Sequence, residues 1–99
     1  MVDMMKPTSS FIEIKAALPI DIALNHYGIV LKASGARLVG ACPIHHGSNK
    51  RAFVVSPDRR AWHCFGDCGR GGSVIDLIMA LEACSLPEAA AIIRQRHGL

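Results

Sequence analysis

The chain has little of what an enzyme or a membrane protein needs. Its eight acidic residues are scattered, and six fall in or near predicted helix starts and faces. A carboxylate cluster able to hold divalent metal for nucleotidyl transfer is therefore missing. No G-x-x-x-x-G-K-[ST] loop, H-E-x-x-H helix or Ser-His-Asp pattern occurs, so nothing points to a catalytic centre within the chain. No apolar run reaches the ~18 residues of a membrane span, and Met1–Ser10 has no signal-peptide core. No internal repeat is present, and the alanine triplet at 89–91 is ordinary helix material. With 99 residues, the chain is at most one domain, with a core small enough to be marginal without help.

What is present compensates for that small core. Cys42 and His45 form a C-P-I-H pair, and eighteen residues later Cys64 and Cys68 form C-F-G-D-C. Two close pairs of soft ligands, separated by a span long enough for strands, are the layout of a tetrahedral zinc site. Each pair fits one tight turn. Four protein ligands close the coordination shell, leaving no position for an activating water, so the expected role of the zinc is structural. His46 is a rival ligand, but the C-x₂ spacing favours His45. Four cysteines could instead form two disulfides, but the histidine beside Cys42 and the placement of Cys84 in an apolar helical stretch favour metal. Reduced cysteines without an export signal suggest a cytoplasmic protein.

The pattern predicts an α+β fold: a zinc-ribbon-like antiparallel sheet flanked by N-terminal and C-terminal helices. Residues 1–10 read as a tail and 11–99 as the domain. Ser10 and Glu13 form a capping box that opens a short helix to about Ala17. Pro19 suits the first position of a second helix, running from Ile20 to Tyr27, with Gly28 as its stop. Strands are expected at 29–32 and 37–41 around a turn at 33–36. A hairpin over 52–65 turns at Pro57–Arg60. Ser73 and Asp76 open a helix to about Cys84, and Ser85 and Glu88 open a last one to about His97. Phe53 and Phe65 are expected under the sheet, and Trp62 on either face. Cys64 must face the metal, so its strand neighbour His63 should point to the other face. Gly69–Ser73, ahead of a helix, could be a phosphate cradle but is more simply the exit of the second ligand turn.

The charge is uneven. Residues 32–70 hold seven basic side chains against two acidic ones, a local +5, while each flank is −1. The metal-bearing region is the basic one, which suggests a polyanionic partner, the alternative being a solvated, charged surface. Arginines beside aromatics on a sheet can hold phosphates while the rings stack unpaired bases.

The ligands and their flanks make the assignment specific. C-P-I-H-H at 42–46, F-V-V-S-P-D at 53–58, W-H-C-F-G at 62–66 and G-G-S-V-I-D-L-I-M at 71–79 resemble the zinc-binding domain of bacterial DnaG-type DNA primases. The likeness covers roughly residues 12–97. It implies one structural Zn²⁺ on Cys42, His45, Cys64 and Cys68, and a domain that contacts single-stranded template DNA while a separate domain makes the RNA primer. Candidate DNA contacts are Lys32, Arg37, Lys50, Arg51, Arg59, Arg60, Trp62, His63 and Arg70. A primase catalytic domain or a replicative helicase would be the protein partner, with no membrane involved. The alternative is a protein-interaction module that docks through the helical pair 73–97. One departure stands out: the second pair is C-x₃-C where the family has C-x₂-C. With its end at Leu99, the chain reads as an excised domain or as a small stand-alone protein of the kind found on mobile elements.

Overall fold

The computed structural model describes residues 10–99. The expected tail therefore lies outside the described residues, except for Ser10. Ser10 N-caps helix α1 (Phe11–Ala17), its hydroxyl accepting from the Glu13 N–H while Glu13 accepts from the Ser10 N–H. Pro19 caps α2 (Ile20–His26) instead of opening it as the first residue.

Five antiparallel strands follow: β1 (Lys32–Ser34), β2 (Arg37–Gly40), β3 (Phe53–Val55), β4 (Trp62–Cys64) and β5 (Gly71–Gly72), paired in chain order. Two helices close the chain, α3 (Val74–Glu82) and α4 (Leu86–His97). The α+β architecture agrees with the reading of the sequence, but two details differ. The first strand lies at 32–34, not 29–32, because the turn has two residues, Gly35 and Ala36, with Ser34 paired to Arg37. Gly35 takes φ +61°, as a two-residue hairpin turn demands. The fifth strand has no signal in the sequence, since two glycines carry no hydrophobic alternation. Gly71 is needed there because a Cβ would lie 2.8 Å from the Trp62 carbonyl oxygen and 2.7 Å from His63 Nδ1. Only a bare backbone passes that close to β4.

Strand alternation divides the sheet into two faces. Phe53, Val55, Trp62 and Cys64 point inward and are buried under α3 and α4, together with Ile14, Leu24, Ile75, Leu77 and Ile93. Trp62 stacks on Phe53 with ring centroids 5.4 Å apart, and its indole N–H donates to the Ser73 carbonyl at 2.8 Å. The opposite face carries Lys32, Val39, Val54 and His63 in register across four strands, Lys32 exposed and the other three half-buried, with no helix over it among the described residues.

The turn of the β3–β4 hairpin is tied to the N-terminal helices. The Arg59 guanidinium donates to the carbonyls of Ala36, Ser56 and Pro57 at 2.9, 3.2 and 3.0 Å. Its Nε lies 3.7 Å from Asp21, and its own carbonyl accepts from the Ile20 N–H. Arg60 donates to the Lys15 carbonyl at 3.1 Å. At the far side, Tyr27 of the α2 C-cap donates to Glu82 at 2.6 Å, while Arg96 donates to both, at 2.6 and 2.8 Å. This triad joins three helices.

The hydrogen bond from Tyr27, followed by that from Arg96, holds the Glu82 carboxyl below its ordinary range. A depressed carboxylate stabilises the fold at neutral pH, and that contribution disappears as pH falls through the lowered pKa. Tyr27→Phe is expected to cost about 1 kcal/mol and to flatten the acid side of the stability profile. Urea denaturation of the zinc-loaded protein across pH measures both.

Candidate metal centre

The strands deliver the four ligands to one end of the sheet. Gly40, Phe53 and Cys64 pair side by side at that end. Cys42 follows β2 by two residues, and Cys64 is the last residue of β4. The first turn closes by a bond from the His46 N–H to the Cys42 carbonyl at 2.9 Å. His46 has φ +52° and stays outside the cluster, while His45 joins it. In the second turn, the Gly66 N–H points at Cys64 Sγ at 3.3 Å, and the Gly69 N–H donates to the Gly66 carbonyl at 3.2 Å. That turn absorbs the additional residue of C-x₃-C, leaving Asp67 exposed and Cys68 facing inward to the cluster.

The ligand atoms of Cys42, His45, Cys64 and Cys68 all lie within 4.8 Å of one another. Cys42 Sγ and Cys68 Sγ are 3.7 Å apart, and Cys64 Sγ is 3.8 Å from His45 Nδ1. With Zn–S bonds of about 2.3 Å, the edge of a zinc tetrahedron measures about 3.8 Å. The donor set and its spacing fit zinc. With three thiolates and one imidazole, such a site is closed and structural.

Two cysteines show why the metal matters to charge. Burial pushes the Cys42 thiol up to about 11, against partial help from the backbone at His45 and Ile44. Burial opposes ionisation of Cys64 as well, but the Cys68 side chain and the Gly66 N–H outweigh it and hold that thiol low. Without a cation, ionising all three sulfurs in so small a volume is unfavourable.

The candidate DNA contacts separate into two groups. Arg37, Lys50, Arg51 and Arg70 are exposed, as is Lys32 at the start of β1. Lys32, Val39 and Lys50 line one shallow cleft of about 220 Å³. Arg37, Val54, His63 and Phe65 line a second, of about 190 Å³. Arg59 and Arg60, by contrast, are bound to backbone carbonyls of the fold itself. Trp62 is corrected outright: at 3% exposure, with its N–H bonded, its ring is closed to a base.

Phe65 is the other correction, since it is 72% exposed and not under the sheet. It leans on His63, ring centroids 4.4 Å apart. Alternation carries the signal for this: Cys64 must face the metal, which places Phe65 with His63 on the open face and Trp62 with Cys64 inside. The phosphate-cradle reading of Gly69–Ser73 also meets an obstacle. The Asp76 carboxylate already occupies the N-terminus of α3, accepting from the Ser73 N–H and hydroxyl at 2.8 and 3.0 Å.

A small antiparallel sheet with two ligand turns at one end defines a zinc-ribbon-type metal domain. Comparison with known proteins makes the class specific. The family described as CHC2 zinc finger matches residues 6–99. The DNA primase of Halalkalibacterium halodurans is 34% identical over 93 residues, covering 94% of this chain and 15% of that protein. The DNA primase of Streptomyces coelicolor is 33% identical over 86 residues, covering 87% of this chain and 13% of that protein. The crystal structure of the Aquifex aeolicus primase (zinc binding and RNA polymerase domains) superposes with a TM-score of 0.77 at 32% identity, over 92% of this chain and 22% of that one. The chain belongs to the CHC2 zinc finger family, as a primase-type zinc-binding domain with one structural zinc. It spans about a seventh of the length of these primase relatives. Among the described residues, no helix is long and apolar enough to cross a membrane.

Because the Cys42 thiol is protonated at neutral pH before metal arrives, zinc uptake should release protons. Apparent affinity is then expected to fall between about pH 8 and about pH 6. Calorimetric titration in buffers of different ionisation enthalpy counts the protons released.

Proposed function

We propose that this domain binds single-stranded template DNA on the open face of its sheet and thereby supports RNA primer synthesis by a polymerising domain. The observation that carries the proposal is the uncovered face itself, where Lys32, Arg37 and Lys50 border two clefts and Phe65 stands exposed against His63. Cations along a groove hold phosphates, and a ring with a free face stacks an unpaired base. The relatives named as DNA primases supply the biological setting. The Aquifex aeolicus structure, which holds zinc-binding and RNA polymerase domains, supplies the kind of partner domain. A DNA template and metal-bound thiolates suit a cytoplasmic protein.

The alternative, docking on a helicase through residues 73–97, has less support. None of the exposed large hydrophobic side chains among the described residues belongs to that helical pair; they are Phe11, Ile12, Ile22, Val30 and Phe65.

Arg59 and Arg60 are poor positions for a test, because reversing their charge would disturb the fold. Lys32→Glu with Arg37→Glu is the better probe. In fluorescence anisotropy with a labelled single strand, the pair should weaken binding and lower the salt slope by about 0.7 for each phosphate no longer neutralised. Phe65→Ala should cost about 1–3 kcal/mol with little change of slope. If the zinc-loaded wild type does not bind single strands at low salt, the proposal fails.

A further inference from the structure

The ring of His45 is constrained by a residue outside the ligand set. The ring presents Nδ1 to Cys64 Sγ at 3.8 Å, the edge length of a zinc tetrahedron. Its other nitrogen, Nε2, is turned toward Gly47. A Cβ built on Gly47 would fall well inside van der Waals distance of Nε2 and 2.9 Å from Cδ2. On the Cε1 edge lies Gly66, where a Cβ would sit at 3.5 Å. The imidazole is thus held between two bare backbones, with the tight side at Gly47.

The backbone of Gly47 does not itself require glycine. Its φ is not among the positive values found at Gly28, Gly35, Gly69, Gly72 and Gly98. Its φ does not exclude alanine, and the close contacts of an added methyl group all fall on one neighbour. In the metal-free protein that neighbour is the end of a rotatable side chain, which can swing aside. Once zinc fixes Nδ1, it cannot. A side chain at position 47 therefore penalises the metal-bound state selectively.

We propose that Gly47 is a positioning residue for the metal: by leaving room for the outer edge of the ring, it makes His45 coordinate zinc through Nδ1, with the proton on Nε2. The neighbouring cleft is lined by His45, Gly47, Ser48, Asn49, Gly66 and Asp67, so polar groups stand near the ring, as the nitrogen that does not bind metal requires.

Long-range ¹H–¹⁵N correlation on the zinc-loaded protein identifies the coordinating nitrogen, with Nδ1 expected; zinc on Nε2 in the wild type overturns the proposal. Gly47→Ala is expected to lower zinc affinity by about 10–100-fold in competition with a chromophoric chelator, while metal-free stability changes little. The double-mutant cycle separates positioning from a general structural role. In a His45→Cys background, which has no ring to displace, Gly47→Ala should leave zinc affinity unchanged. An equal loss in both backgrounds refutes the assignment. If the His45→Cys protein takes up no zinc, the ¹⁵N shifts of His45 in zinc-loaded Gly47→Ala decide: unchanged shifts overturn the proposal, and displaced ones support it.

Discussion

Four ligands spaced for one zinc ion tie the ends of β2 and β4 together. The strands of this domain are two to four residues long, and the core of a 99-residue domain is marginal without help. Zinc binding in small modules is worth roughly 10–16 kcal/mol, and that energy is folding energy. It acts at the end of the sheet where β2, β3 and β4 would otherwise fray. At the opposite end the Arg59 and Arg60 guanidiniums bind carbonyls of the β1–β2 turn, the hairpin turn and α1. The sheet is clamped at both ends, by a metal and by a pair of arginines, and its middle stays open.

That arrangement separates two kinds of positive charge that look identical in sequence. Arginines within reach of orphan carbonyls become part of the scaffold, as at helix ends and turns where unpaired acceptors need donors. On the uncovered face, Lys32 and Arg37 remain exposed. The helices determine which is which, because they cover one face only. The hairpin turn sits against α1 and α2, and among the described residues no helix lies above the face bearing Lys32 and His63.

Much of this is legible in the sequence. The ligand spacing, three serine-led helix starts and the hairpin over 52–65 all depend on near neighbours, and near neighbours are what a pattern records. The features that escape it share a cause. Arg59 and Arg60 bind carbonyls 23 and 45 residues away, a relation no local pattern carries. The Tyr27–Glu82–Arg96 triad is invisible for the same reason. Phe65 is the exception, because its hydrophobicity points inward while alternation from Cys64 points outward, and alternation wins. The glycine strand β5 is defined by the side chains it lacks.

Trp62 is the one tryptophan of the chain. It sits two residues before the ligand Cys64, stacked on Phe53 and bonded to the cap of α3. Its indole therefore lies at the junction of metal site, sheet and helices, on the side away from the open face. Its fluorescence is a built-in report on the integrity of that junction. Emission should shift to the red when the metal leaves and the core loosens, yet stay nearly constant when a ligand settles on the other face. A single optical signal thereby distinguishes loss of the fold from occupancy of its surface.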